Sequence, residues 1–266
     1  MCQTCGCSGD GAVIAEPGHQ HEHEQHEHEH GHEHGHRVSL EQDVLAKNDL
    51  LAEHNRRWLT ERGVLAVNLM SSPGAGKTTL LERTAREADL PMAVIEGDQE
   101  TMLDAERIKA AGAPVVQINT GAGCHLDAAM LDRAVHTVEP APGSVLFIEN
   151  VGNLVCPALF DLGEEQRVVI LSVTEGQDKP RKYPHMFASA DLVLLNKVDL
   201  LPYLDFDIAA FLRDARRVNP DVEVVRLSAT RGTGLTDWYS WLREHRPHFA
   251  GPAHGSAGGS AGQKRR

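Results

Sequence analysis

Between residues 38 and 249, short apolar runs alternate with stretches of helical period. Leu65–Met70, Met92–Glu96, Val115–Ile118, Val145–Glu149, Val168–Val173, Leu192–Asn196 and Glu223–Leu227 are each four to six residues long and largely apolar, the pattern of buried strands. Lys77–Ala88, Thr101–Ala111, Leu126–Val135, Ile208–Val218 and Leu235–His245 predict helices between or after them. Ahead of the first strand, Ser39 followed by Gln42 fits a capping box that opens one more helix. Val44, Leu51 and Trp58, with Leu45 and Leu59 beside them, suit one buried stripe along it, and Gly63 ends it. The alternation predicts an α/β fold, a mostly parallel sheet with helices on both faces. In such sheets ligands sit at the carboxyl ends of the strands.

Composition sets the limits of that domain. Residues 1–37 hold almost no large apolar side chains, and residues 250–266 are mostly glycine, alanine, serine and charge. Neither end can bury enough apolar surface to offset the entropy of ordering it, so both are expected as disordered tails around one domain, 38–249. The net charge of −12 includes glutamates of the N-terminal segment and argues against a nucleic-acid partner, since phosphate contacts need Lys and Arg. No stretch resembles the apolar core of a signal peptide, and none approaches the ~20 apolar residues of a membrane span. A soluble, cytoplasmic protein is expected. Five cysteines, an odd number, suit metal ligation or reactive thiols better than a disulfide framework.

Five segments carry candidate nucleotide chemistry. Ser71-Ser-Pro-Gly-Ala-Gly-Lys-Thr78 lies between a strand and a helix and fits G-x-x-x-x-G-K-[ST], with Ser71 in place of the first glycine. Backbone N–H groups of Gly74, Ala75, Gly76, Lys77, Thr78 and Thr79 would curl around phosphates at the helix N-terminus. Lys77 would reach the β and γ phosphates, and the Thr78 hydroxyl would bind Mg²⁺. Asn196-Lys197-Val198-Asp199 closes a strand in the N-K-x-D arrangement of guanine readers. The Asp199 carboxylate would accept from guanine N1–H and the exocyclic amine, rejecting adenine. Ser228 and Ala229 follow the last strand, where a loop meets guanine O6. Glu149 ends a strand and would hold the magnesium shell, while the Gly152 N–H would meet a γ-phosphate. Asp98 is a candidate for the first switch, or a plain helix cap. Lys77, Asp98 and Glu149 are thus the candidate catalytic residues, and Thr78, Asp98 and Glu149 the candidate magnesium ligands.

Soft metal ligands form three further groups. Cys2, Cys5 and Cys7 make C-x-x-C-G-C, three thiolates that could chelate one soft ion without a fold, a set that would suit Ni(II) better than Zn(II) if the terminal amine joins them. From His19 to His36, nine histidines alternate mostly with Glu, Gly or Gln, suiting metal buffering or simple solubility. Cys124, His125 and Cys156 fall near strand ends, as core residues or as a ligand set that a symmetric dimer would complete.

The motifs CQTCGC, SSPGAGKTT, EGDQET, TGAGCHLDA, ENVGNLVCP, TEGQDKPRKYP and NKVDL, with the histidine tract, resemble those of the HypB family, nickel-insertion GTPases of [NiFe]-hydrogenase maturation in the SIMIBI class of P-loop proteins. The resemblance covers residues 1–249. It implies GTP hydrolysis to GDP, nucleotide- and metal-dependent homodimerisation, and nickel transfer with a HypA-type metallochaperone to the hydrogenase large-subunit precursor. It marks Cys2, Cys5 and Cys7 as an N-terminal nickel site and Cys124, His125 and Cys156 as a nickel/zinc site. Glu175-Gly-Gln-Asp-Lys-Pro180 is part of the pattern without an assigned chemistry; Asp178 or Lys179 against a partner's nucleotide and an ordinary loop are both open. A urease-type nickel accessory GTPase, a nickel storage protein and a small-molecule kinase are the competing readings.

Overall fold

A computed structural model describes residues 33–98, 103–121 and 123–247. Cys2, Cys5, Cys7, most of the histidine tract and the 250–266 segment lie outside the described residues, as do Gln99–Met102 and Ala122.

Seven strands form one sheet: β1 (Leu65–Ser71), β2 (Met92–Asp98), β3 (Val115–Asn119), β4 (Val145–Glu149), β5 (Gln166–Ser172), β6 (Leu192–Asn196) and β7 (Glu223–Arg226). Their order is β3-β2-β4-β1-β5-β6-β7, and every pairing is parallel. Eight α-helices are described: α1 (Glu33–Glu61), α2 (Lys77–Glu87), α3 (Leu103–Ala110), α4 (Ala128–Val138), α5 (Lys179–Lys182), α6 (Pro184–Ala188), α7 (Ile208–Val218) and α8 (Leu235–His245). Side chains alternate between faces along each strand. Val67, Leu69, Phe147 and Ile170 pack with Leu80 and Leu81 of α2 and Trp238 of α8. Ala66, Ile95 and Ile148 meet Leu59 of α1 and Leu131 of α4 on the opposite face. Met70, Val169 and Leu195 meet Phe187 of α6 and Phe211 of α7. Both faces are therefore buried, which explains why the central strands read as continuous apolar runs.

The N-terminal helix departs from expectation. It begins at Glu33, ahead of Ser39, so Ser39 and Gln42 lie inside the helix and do not cap it. No proline stands between Glu33 and Ser39 to stop it. Its buried face is Asn48, Ala52, Asn55 and Leu59, whereas Val44 is exposed and Leu51 and Trp58 are half-buried. The reason is what it covers: a loop and a helix start, both rich in backbone polar groups. Asn55 Nδ2 donates to the carbonyls of Ala128 (2.9 Å) and Leu162 (3.0 Å). Asn48 donates to the Asp161 carbonyl (2.7 Å) and accepts from the Ala128 N–H (2.9 Å). The helix docks by asparagine as much as by apolar contact.

The chain direction puts the carboxyl ends of all seven strands on one edge of the sheet. Ser71, Asp98, Glu149, Ser172 and Asn196 end their strands there. No described helix is long and apolar enough to cross a membrane.

Candidate functional site

A cleft of about 510 Å³ opens at that edge. It is lined by Gly74, Gly76, Lys77, Thr78 and Thr79 from the loop before α2, by Asp98 from β2, and by Glu149, Gly152 and Lys197. The loop turns through Gly74 (φ +74°) and Gly76 (φ +104°), left-handed conformations that favour glycine. α2 then starts at Lys77 with its N-terminal dipole facing the cleft.

Lys77 is buried and donates to Ser71 Oγ at 2.8 Å. Burial pulls its ammonium below the usual range, against the opposing pull of Glu149, Asp104, Glu175 and Glu96. Thr78 Oγ1 lies 2.9 Å from Glu149 Oε1 and 3.0 Å from Asp104 Oδ2. Glu96 and Glu149 are opposite each other in the β2–β4 pairing. Burial, then Glu149, Asp104 and Asp98, push Glu96 up to about 8, with Lys77 opposing. Burial pushes Glu149 up to about 7, against Lys77 and the Thr78 hydrogen bond. One hydroxyl proton on Thr78 serves one acceptor at a time, and a protonated Glu149 can supply the second bond. Glu96 Oε2 and Glu149 Oε2 are buried without a hydrogen-bond partner among the described residues. Two unsatisfied carboxylate oxygens beside a threonine hydroxyl are hard donors, the set that suits Mg²⁺.

Asp98 ends β2, five residues ahead of the start of α3, and its carbonyl accepts from the Thr120 N–H at 3.0 Å. Glu96 and Asp104 are not among the residues the motifs single out. A carboxylate inside an apolar strand was the available signal for Glu96. Asp104 sits in the first turn of a helix, where an acid is ordinary, so its sequence position carried no signal.

The candidate base-side residues are tied to the loop before α2. Asn196 Nδ2 donates to the Ala75 carbonyl (2.9 Å), and its Oδ1 accepts from the N–H groups of Lys197 (2.7 Å) and Ala229 (3.0 Å). Lys197 Nζ donates to the Gly74 carbonyl at 2.7 Å. Lys197 holds φ +61°, uncommon for a residue with a side chain. Asp199 follows in the first turn of the 3-10 helix Val198–Tyr203. Ser228 is fully buried and accepts from the Arg231 N–H at 3.1 Å.

Cys124, His125 and Cys156 form a second group, with one ligand atom from each within 4.8 Å of the others. Cys124 Sγ lies 3.0 Å from Cys156 Sγ and 3.6 Å from His125 Nδ1. The His125 ring stacks on Phe160 at 3.9 Å, and burial lowers its pKa while Asp127 opposes, which favours the neutral, ligating imidazole. Two thiols and an imidazole are a soft set suited to nickel or zinc. Val155 and Leu159, on either side of Cys156, are exposed apolar residues.

The two groups are linked by shared contacts. Asn150, fully buried beside Glu149, accepts on Oδ1 from the N–H of Leu126 (3.2 Å) and of Val151 (3.0 Å). Asn153 donates to the Cys124 carbonyl at 3.4 Å. The Leu126 side chain packs on Gly97, where an added Cβ would stand 2.9 Å from Leu126 Cδ2. The segment carrying Cys124 and His125 is thus held by β2 and by the residues after β4, both of which face the cleft.

Residues 65–226 match the CobW/HypB/UreG nucleotide-binding domain family. The hydrogenase maturation factor HypB of Azotobacter chroococcum is 58% identical over 79% of this chain and 69% of its own length. The hydrogenase/urease maturation factor HypB of Helicobacter pylori is 39% identical over 78% of this chain and 87% of its own. The crystal structure of the Helicobacter pylori HypB in complex with nickel superposes with a TM-score of 0.72 at 38% identity, over 75% of this chain and 95% of that one. The chain belongs to the CobW/HypB/UreG family of P-loop GTPase domains and, within it, to the HypB hydrogenase maturation factors.

Proposed function

We propose that this chain is a GTP-driven nickel metallochaperone of [NiFe]-hydrogenase maturation, in which the nucleotide cleft controls the metal held by Cys124, His125 and Cys156. The observation that carries the reading is Asn150. It follows the carboxylate expected at magnesium and its side chain holds the backbone N–H next to His125.

In this reading GTP lies with its phosphates over Gly74–Thr79 and its base against Asn196, Asp199, Ser228 and Ala229. Thr78 and Glu149, with Asp98, would hold Mg²⁺, which when bound would neutralise charge on the β and γ phosphates. Lys77 leaves Ser71 for the phosphates. Gly152, whose Cα would carry a Cβ 3.0 Å from Pro73, lies close enough to the loop to follow the γ-phosphate. Loss of that phosphate frees the segment 149–156 and so moves Asn150 and Cys156. Nickel is the cargo, and zinc would compete for the same soft set.

Three protein ligands leave a coordination position open for a second copy or an acceptor. The exposed Val155 and Leu159 beside Cys156 suit a homodimer face. The partners in delivery are a HypA-type metallochaperone and the hydrogenase large-subunit precursor. Cys2, Cys5, Cys7 and the histidine tract supply nickel to this site. The Helicobacter pylori relative carries both hydrogenase and urease in its name, so delivery to urease is the second reading.

The test is Ni(II) affinity with GDP and with a non-hydrolysable GTP analogue, in protein lacking residues 1–37. The expected difference is tenfold or more, ~1.4 kcal/mol of coupling. Equal affinities would mean that the nucleotide does not govern this metal group.

A further inference from the structure

The segment after β5 has no part in the function proposed above, yet it touches the phosphate loop. Glu175 closes the 3-10 helix Val173–Glu175, and its side chain lies among Ser172, Ser72 and Lys179. One carboxylate oxygen accepts from the Ser172 N–H at 2.9 Å. The other accepts from the Ser72 hydroxyl. Lys179 Nζ stands 3.5 Å from that second oxygen, and both side chains of the pair are mostly buried.

From Ser72 the contacts continue into the site. The Ser72 carbonyl accepts from the Ala75 N–H (3.4 Å), closing the loop's first turn, and from Ser71 Oγ (2.7 Å). Ser71 Oγ accepts in turn from Lys77 Nζ. An unbroken chain therefore runs from Glu175 through Ser72 and Ser71 to the phosphate-binding lysine. It also gives a use to the serine that stands where the general motif has glycine, since only a side-chain hydroxyl can bridge Ser72 and Lys77 in this way.

We propose that Glu175 is a positioning residue for GTP binding: it clamps Ser72, and so fixes the first turn of the phosphate loop. Lys179 completes the clamp. A bare carboxylate beside the loop would repel the phosphates, and the adjacent ammonium cancels its charge. Asp178 does not share this task, as it pairs with Lys182 at 2.7 Å. The proposal rests on the loop being the phosphate site, and Lys77→Ala tests that premise separately.

The experiment measures the Kd of full-length protein for GDP and for a non-hydrolysable GTP analogue with Mg²⁺. The variants are Ser72→Ala, Glu175→Ala, the double variant, Glu175→Gln and Lys77→Ala. Ser72→Ala and Glu175→Ala should each weaken the analogue about tenfold, and the double variant no further, because both remove one contact. Glu175→Gln should recover most of the loss. Its carbonyl can accept from Ser172, and its NH₂ can donate to a Ser72 hydroxyl turned to accept. Losses that multiply to about a hundredfold, a Glu175→Gln as weak as Glu175→Ala, or a Glu175→Ala with native affinity would each overturn the clamp. If Glu175→Ala fails to fold, Ser72→Ala and Glu175→Gln decide: about tenfold loss in the first and near-native binding in the second support it, and native affinity in the first overturns it. Undiminished binding by Lys77→Ala would instead overturn the phosphate-loop reading, leaving the two failures distinct.

Discussion

At the scale of single residues, the site depends on a few positions where one atom decides. Gly76 holds φ +104°, and a Cβ there would stand 2.5 Å from Asn196 Nδ2, the group that donates to the Ala75 carbonyl. Gly74 also has positive φ but open space around it. Gly76→Ala should therefore displace Asn196 and weaken guanine nucleotide binding by at least tenfold, whereas Gly74→Ala bears only backbone strain of roughly 1–3 kcal/mol. Equal losses of GDP affinity in the two variants would show that the Asn196 contact does not matter. Base choice gives a second test. Asp199 is expected to accept two guanine N–H groups, and Asp199→Asn exchanges one acceptor oxygen for a donor NH₂. Xanthine offers a carbonyl where guanine has its amine, so the variant should prefer XDP over GDP in competition titration. Retention of the native GDP preference would remove Asp199 from the base site.

At the scale of elements, the sheet was legible because strands buried on both faces leave continuous apolar runs, and β4 and β6 sit where those runs are. The turn before α2 and its neighbour Asn196–Asp199 were legible as candidates because the chemistry expected of them needs fixed residues at fixed spacing. The start of α1 and most of its buried face were misread because it is held by Asn48 and Asn55, and an asparagine that satisfies buried carbonyls looks like a surface residue in sequence. Asn55→Ala should leave two buried carbonyls short of a donor and lower stability by about 1–3 kcal/mol in urea unfolding, while Leu50→Ala on the exposed side should not. The link between the two groups was also hidden, since Asn150 and Leu126 meet only once β4 and the segment before α4 are adjacent. Asn150→Ala removes the bond to the Leu126 N–H but none of the expected metal ligands. Nucleotide and nickel should each still bind, and the difference in nickel affinity between GDP and GTP analogue should shrink at least threefold. Full coupling in that variant would place the link elsewhere, with the Gly97–Leu126 contact as the next candidate.

At the scale of the whole molecule, the cleft collects more acid than the nucleotide-free protein can ionise. Glu96 and Glu149, with ordinary values of 4.5, are raised to about 8 and about 7, chiefly by burial. A carboxyl whose pKa is higher in the folded state binds its proton more tightly there. Its contribution to stability is complete below about 4.5 and is lost as pH rises through the folded-state value. The nucleotide-free protein should therefore lose stability from this pair between about pH 5 and pH 8. Mg²⁺ held by these carboxylates would need the ionised forms and replace the protons, so its stabilisation should grow over the same interval. Thermal unfolding with and without Mg²⁺ and GDP, at about pH 5.5 and about pH 8.5, reads the difference directly. The gain from Mg²⁺ and GDP should be larger at the higher pH, and Glu96→Gln, which cannot ionise, should flatten the slope of the nucleotide-free protein. An equal gain at both pH values, together with an unchanged slope in Glu96→Gln, would mean that these carboxyls are already ionised in the empty cleft and that proton release is no part of magnesium binding.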